Sequence, residues 1–175
     1  MIDDAAAAIL VTTVVVGRQG GIEMAEGSDA RSPAFEAAGD RRVELKAALS
    51  AVEIVAAGPA GAPGWHERLT AALIDLSKAL DTHVEEVERP DGLLEELTEA
   101  APRLVNHVDR LRDEHPVLQA QMAALIARAD PIGDAVAPAD DLRSEVLDAL
   151  VAIARHRQRG ADLVYEVHNV DIGGG

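Results

Sequence analysis

Three apolar stripes, each interrupted by one histidine, constrain the fold of this 175-residue chain more than any other feature. Each stripe advances by three or four residues, so its members lie along one face of an α-helix. The stripes are Leu69, Leu73, Leu76, Leu80, His83 and Val87; Leu104, Val108, Leu111, His115, Leu118, Met122 and Leu125; and Leu142, Val146, Ala149, Ile153, His156, Gly160, Leu163 and Val167. Because a buried imidazole needs a hydrogen-bond partner or a metal, the pattern predicts a polar centre inside a helical core.

Start and stop signals predict four long helices and one short helix. Asp40 is a candidate N-cap for the first long helix, which ends before Gly58. Pro116 lies inside the third long helix, where we expect a kink. The predicted helices span about residues 40–57, 65–88, 93–100, 102–129 and 140–167. Because short loops join antiparallel neighbours, we predict an all-α, up-down-up-down four-helix bundle with a short extra helix between helices two and three.

The segment that precedes the first predicted helix has a different composition. We expect residues 1–39 to be flexible or irregular, residues 40–170 to form the bundle, and residues 171–175 to be a frayed tail. The residues just before Met24 back-translate to a purine-rich run at the spacing of a ribosome-binding site. We therefore expect translation to begin at Met24, with residues 1–23 read through from upstream sequence.

Composition excludes several classes of function. The net charge of −15 argues against binding to nucleic acid and to an anionic membrane surface, and we expect a cytoplasmic protein. The sequence has no cysteine, so thiolate zinc sites and iron–sulfur clusters are excluded, and any metal must be held by His, Asp and Glu. It also has no glycine-rich phosphate loop, nucleophile elbow or HExxH motif, which favours a role other than catalysis.

Counting residues from the predicted helix ends gives the height of each histidine in the bundle. This count places His83 level with His107, and His115 level with His156, in two tiers about 12 Å apart. The candidate ligand set for a metal is His83, His107, His115, His156, Glu86 and Glu114. Alternatively, these histidines hydrogen-bond to each other, to the two glutamates or to buried water, or they line a small-molecule or haem pocket. A single transition metal and a two-metal centre with further carboxylates both stay open.

The segments around these histidines resemble the hemerythrin-like (HHE) family, and the resemblance covers about residues 40–175. They are residues 82–94 (THVEEVERPDGLL), 107–116 (HVDRLRDEHP) and 156–166 (HRQRGADLVYE). The ending at 164–174 is similar to a branch of the family in high-GC bacteria. The resemblance implies a four-helix bundle and, in the metal-binding members, two irons held by several histidines and two carboxylates. Those irons bind oxygen or related small molecules.

The sequence departs from the family's ligand pattern at most positions. The first helix has no histidine, and the residues four places after the four candidate histidines are not ligands. They are Val87, Leu111, Gln119 and Gly160. We therefore predict a non-catalytic helical bundle that acts as a binding or interaction module, with the di-iron site lost or reduced, no resident cofactor, and a homodimer or another protein as partner. The alternative is a hemerythrin-like protein that uses iron or another transition metal to handle oxygen, peroxide or a related small molecule.

Overall fold

Proline and glycine at the segment ends divide the chain into helices, as the sequence predicts. The computed structural model describes residues 33–60, 62–130 and 138–170, and every regular element within those ranges is helical. The helices are α1 (Pro33–Ala57), α2 (Trp65–Glu88), α3 (Leu93–Ala100), α4 (Val105–Ala129) and α5 (Ala139–Val170), with a 3-10 turn at Pro102–Leu104 before α4. The all-α prediction is confirmed for this part of the chain.

Most helix ends agree with the sequence signals. Helices α2 and α3 have their predicted bounds, and the turn between them is closed by the amide of Gly92, which donates to the carbonyl of Arg89 at 2.8 Å. Helix α1 begins at Pro33, so the predicted start at Asp40 is wrong. Proline is favoured in the first helical turn, where no amide donor is required. Predictions on residues 1–32 and 171–175, including the start at Met24, lie outside the described residues.

The four long helices of the described ranges pack against one another. Helix α1 packs against α2 and α5, and α4 packs against the same two helices, so the four form a closed ring. The short helix α3 contacts all four of them and therefore covers one end of the bundle. These elements belong to one compact unit, residues 31–175.

Two clusters of buried apolar side chains fill the interior. The larger cluster joins all four long helices and includes Trp65, whose indole nitrogen donates to the carbonyl of Val55 at 3.0 Å. The smaller cluster lies at the α3 end and joins α3 to the last turn of α2, the start of α4 and the end of α5. Each fully buried Leu, Ile or Val contributes about 1.5–3 kcal/mol to folding, so both clusters hold the helices in register. No helix in the described ranges combines the length and hydropathy that a membrane crossing requires.

Candidate metal centre

The layer between the two apolar clusters holds His83, His115 and His156. On each helix the histidine is flanked along its stripe by one residue of the larger cluster and one of the smaller cluster. These pairs are Leu80 and Val87 on α2, Leu118 and Leu111 on α4, and Ile153 and Leu163 on α5. The apolar surroundings remove water from the imidazoles, so their polar atoms depend on one another and on nearby charged groups.

The three histidines form one compact group. Their exposed fractions are 8% for His83, 1% for His115 and 4% for His156. The ring centroids lie 4.8 Å apart for His115 and His156, 5.9 Å for His83 and His115, and 6.0 Å for His83 and His156. One ligand nitrogen from each ring lies within 4.8 Å of the other two. The prediction that imidazoles from separate helices converge in the interior is confirmed for these three residues.

The predicted arrangement in two tiers is wrong. His83 lies beside His115, and His107 lies exposed on α4, outside the cluster. The error comes from the start of α4, where Val108 packs with the leucines of α3 in the smaller cluster. This first part of α4 extends past the end of α2 along the bundle axis. A residue at a given distance from the start of α4 therefore does not lie level with the residue at the same distance from the end of α2.

Two glutamates hold the outer nitrogens of His115 and His156. His115 Nδ1 lies 2.5 Å from Glu88 Oε1, and His156 Nδ1 lies 2.8 Å from Glu114 Oε2. Arg159 also donates to Glu114, at 2.7 Å. Burial raises the pKa of Glu114, but the hydrogen bonds from Arg159 and His156 outweigh it and leave that pKa below its usual value. Glu114 is therefore an ionised acceptor that fixes the orientation of the His156 ring.

One of these carboxylates was missed in the sequence and one predicted carboxylate lies elsewhere. Glu86 pairs with Arg89 on its own helix, at 3.1 Å, and is not in the cluster. The glutamate of α2 that contacts a histidine of the cluster is Glu88, and its partner is His115 on α4. No signal within α2 identifies that partner, because the contact depends on the register between the two helices.

The two remaining nitrogens of these rings face each other. His115 Nε2 and His156 Nε2 are 3.2 Å apart. Each ring donates its Nδ1–H to a carboxylate, so a neutral ring has only a lone pair at Nε2. Two lone pairs at this distance repel, and the contact becomes favourable only with a proton or a metal cation between them. Burial lowers the pKa of His156 despite the opposing hydrogen bond to Glu114, which disfavours the proton on that ring.

His83 completes the cluster from α2. Its Nδ1 is buried and has no hydrogen-bond partner in the described part of the chain. The pKa of His83 is lowered to about 3, mainly by burial and in smaller amounts by the charges of His115, His156, Arg42 and Arg157. The ring is therefore neutral at physiological pH and keeps a lone pair that an ion could use.

Two arginines are close enough to His83 for their charges to lower its pKa. Arg42 precedes Leu45 of the larger cluster by about one turn of α1, which places it level with the histidine layer. Arg157 follows His156 on α5. Burial lowers the pKa of both guanidinium groups, and the charge of Arg157 lowers the pKa of Arg42 further. The cluster thus has carboxylates that contact two of its imidazoles, and two guanidinium charges that disfavour protonation of the third.

A hydrogen bond between α2 and α4 fixes their register next to the cluster. Gln119, one turn after His115, donates from Nε2 to Asp81 Oδ1 at 2.8 Å. Asp81 precedes His83 by two residues. The side chain four residues after His115 therefore joins the two helices and does not face the cluster as a further ligand.

The cluster fits one metal ion better than two. Two imidazoles on one tetrahedral zinc, each at 2.0–2.1 Å, have nitrogens about 3.3 Å apart, close to the 3.2 Å between His115 and His156. The three ligand nitrogens, which lie within 4.8 Å of one another, must all come to about 3.3 Å apart around one ion, so the cluster contracts on binding. Two irons would need further inward ligands. Within the described residues, the nearby carboxylates Glu88 and Glu114 face the outer nitrogens instead.

Comparison with protein-family models, with curated proteins and with solved structures finds no match to this chain. The resemblance to the hemerythrin-like family therefore stays a prediction from the sequence. Function is therefore inferred from the geometry of the cluster.

Proposed function

We propose that this protein is a hemerythrin-like, up-down helical bundle that binds one divalent transition-metal ion through His83, His115 and His156. The observation that carries the proposal is the approach of His115 Nε2 and His156 Nε2 to 3.2 Å while both Nδ1 atoms face carboxylates. A metal-binding histidine commonly donates its other ring nitrogen to a carboxylate, which fixes the tautomer and increases the basicity of the ligand nitrogen.

Metal binding resolves two unfavourable features of the cluster together. It replaces the repulsion between the two Nε2 lone pairs by two metal–nitrogen bonds. It also supplies a partner for the buried Nδ1 of His83, which has none among the described residues. A proton could resolve only the first of these features, and burial opposes it by lowering the pKa of His156.

The donor set indicates the class of ion. Neutral imidazole suits zinc, iron, copper and nickel, whereas magnesium and calcium prefer oxygen ligands. Three protein ligands leave at least one coordination position for water or another small molecule. When bound, the ion supplies a Lewis-acidic position that an oxygen-containing molecule can occupy. Glu88 and Glu114 keep the rings oriented, and the apolar clusters above and below limit the access of water.

A second function is favoured by a separate observation on α1. Val43 and Ile54 are about three helical turns apart on one face, and they are 69% and 74% exposed. Apolar side chains that are exposed along one helix face are accessible to a protein partner. In this alternative the protein is an interaction module, and the histidines form a hydrogen-bonded network without metal.

Metal binding is tested with purified protein stripped by a chelator and then titrated with Zn²⁺ or Co²⁺. We expect about one ion per chain by elemental analysis after dialysis, and Co²⁺ should give visible bands from a site with nitrogen ligands. H115A should abolish binding because it removes one of the two facing nitrogens. H107A is the matched control on the same helix, since His107 is exposed and lies outside the cluster.

Circular dichroism of each variant separates loss of the site from loss of the fold. If H115A does not fold, H83A provides the same test from α2. Failure of the wild-type protein to retain either ion would overturn the proposed function. Equal loss in H107A and H115A would also overturn it, because the binding would then not depend on the cluster.

A further inference from the structure

We propose that two copies of this chain bind each other through the outward face of α1, with the two α1 helices antiparallel. The outward face is formed by Val43, Ala47, Ser50 and Ile54. This inference goes beyond the proposed function, because it names the occupant of a surface on a helix that carries none of the three histidines.

The outward face lies opposite the side of α1 that packs into the bundle. Leu45, Leu49 and Val52 belong to the larger apolar cluster. At about 100° per residue, Val43 and Ile54 point to the other side of the helix from Val52. They are 69% and 74% exposed, so none of the described residues covers this face.

The spacing of the outward face is that of a short coiled-coil seam. Its steps of four, three and four residues are those between the apolar positions of a heptad repeat, and they read the same in both directions. An antiparallel second copy therefore brings its Ile54 beside Val43 and its Ser50 beside Ala47. The small middle pair lets the two helices approach closely. A two-fold contact of this kind needs one self-complementary surface, which the outward face provides.

Charge at the edge of the outward face determines the direction of the second helix. Lys46 and Glu53 are exposed and seven residues apart, so they occupy the same heptad position on one edge. In an antiparallel pair, Lys46 of each copy lies beside Glu53 of the other, which gives two ion pairs. In a parallel pair, Lys46 would face Ala51 and neither ion pair would form. This complementarity within a single chain favours a second copy, in antiparallel orientation, as the occupant.

The size of the contact sets its expected strength. The outward face extends over about 16 Å of helix, whereas stable interfaces bury about 1,600 Å² in total. One pair of such short segments buries less, and the net charge of −15 on each copy opposes association. We therefore expect a reversible dimer that forms as the protein concentration rises through the micromolar range.

The first test is sedimentation equilibrium of the wild-type protein over increasing concentration, in the presence of a chelator. We expect a monomer–dimer equilibrium, because α1 contributes no metal ligand. V43D should weaken the dimer by at least tenfold, since it places a charge inside the contact. V117D is the matched control, because Val117 on α4 is 65% exposed and the substitution adds the same charge away from α1. Circular dichroism checks the fold of each variant.

The second test reverses the edge charges. K46E and E53K should each weaken the dimer by about tenfold or more, because each places like charges beside one another. E53K is the sharper of the two, since it lowers the net negative charge and would strengthen association if only overall repulsion mattered. The double variant K46E/E53K keeps the net charge and should restore the affinity to within about threefold of wild type.

The outcomes separate this inference from the proposed function. A wild-type protein that stays monomeric would overturn the inference and leave the outward face to a different protein. Equal weakening by V43D and V117D, or a stronger dimer with E53K, would also overturn it. None of these results changes the metal centre. Conversely, a protein that dimerises as expected but retains no Zn²⁺ or Co²⁺ would overturn the proposed function alone.

Discussion

Protonation of His83 should destabilise the metal-free protein in mild acid, and the size of the effect follows from its burial. The pKa of His83 is about 3 in the folded chain, compared with 6.5 for an unperturbed histidine. The unfolded state therefore binds more protons between these values, so stability is complete above pH 6.5 and is lost as the pH falls from about 6.5 toward about 3. Between pH 7.5 and pH 5 the linkage relation gives a loss of about 2 kcal/mol from this residue.

The magnitude at pH 5 depends mainly on the unfolded chain. Because pH 5 lies well above the folded pKa of about 3, the folded ring stays neutral while the unfolded ring becomes charged. The loss continues at lower pH, where carboxylates also titrate in the unfolded chain and complicate the comparison. The interval from pH 7.5 to pH 5 is therefore the one to measure.

The assay is urea denaturation in the presence of a chelator at both pH values, for wild type, H83Q and H107Q. H83Q keeps a polar side chain of similar length but cannot titrate, so its stability should fall by about 2 kcal/mol less than that of wild type over this interval. H107Q removes an exposed histidine and should follow wild type. Equal pH dependence of wild type and H83Q would refute the reasoning, because it would mean that His83 is not buried as a neutral ring.

Three further predictions test the site and the fold. E88Q and E114Q, each assayed by chelator competition for Zn²⁺, should weaken metal binding by about 10–100-fold, because each removes the charge that orients a ligand ring; unchanged affinity would contradict the role of the carboxylates. G160A should raise the stability by about 0.5–1 kcal/mol in thermal unfolding, because the added carbon has no close neighbour and alanine favours the helix; a destabilised variant would show that the space is filled. L76A should cost about 2–5 kcal/mol in urea denaturation, whereas V117A, at a position that is 65% exposed, should stay within about 0.5 kcal/mol of wild type; similar losses would contradict the assigned core.

The helices and their buried faces could be predicted from the sequence because the signals are local. Gly58 and the turn before Leu93 mark helix ends, and the stripes follow a helical period over several turns. The start of α1 is the exception, since Pro33 and Asp40 are both acceptable near a helix start and the propensity of the intervening residues decides.

The composition of the cluster could be predicted only in part. His83, His115 and His156 were identifiable because each interrupts an apolar stripe. The exclusion of His107 and the partnership of Glu88 with His115 depend on how far α4 extends past α2, which is set by packing against α3. The effect of Arg42 on the pKa of His83 was equally hidden, since an arginine near the start of a helix gives no sign that its charge acts on a histidine of another helix.

The polar layer also bears on how the protein opens in solution. It separates the larger apolar cluster from the smaller one, so the interior has two apolar compartments. The compartment beneath α3 is the smaller cluster, which has fewer side chains and includes those of the short helix α3. We expect amide protons in the compartment beneath α3 to exchange with solvent through partial unfolding. Amide protons around Trp65 should exchange only through global unfolding. An ion held jointly by α2, α4 and α5 would link the compartments, so loading the site should bring the slowest exchange rates of the two halves together.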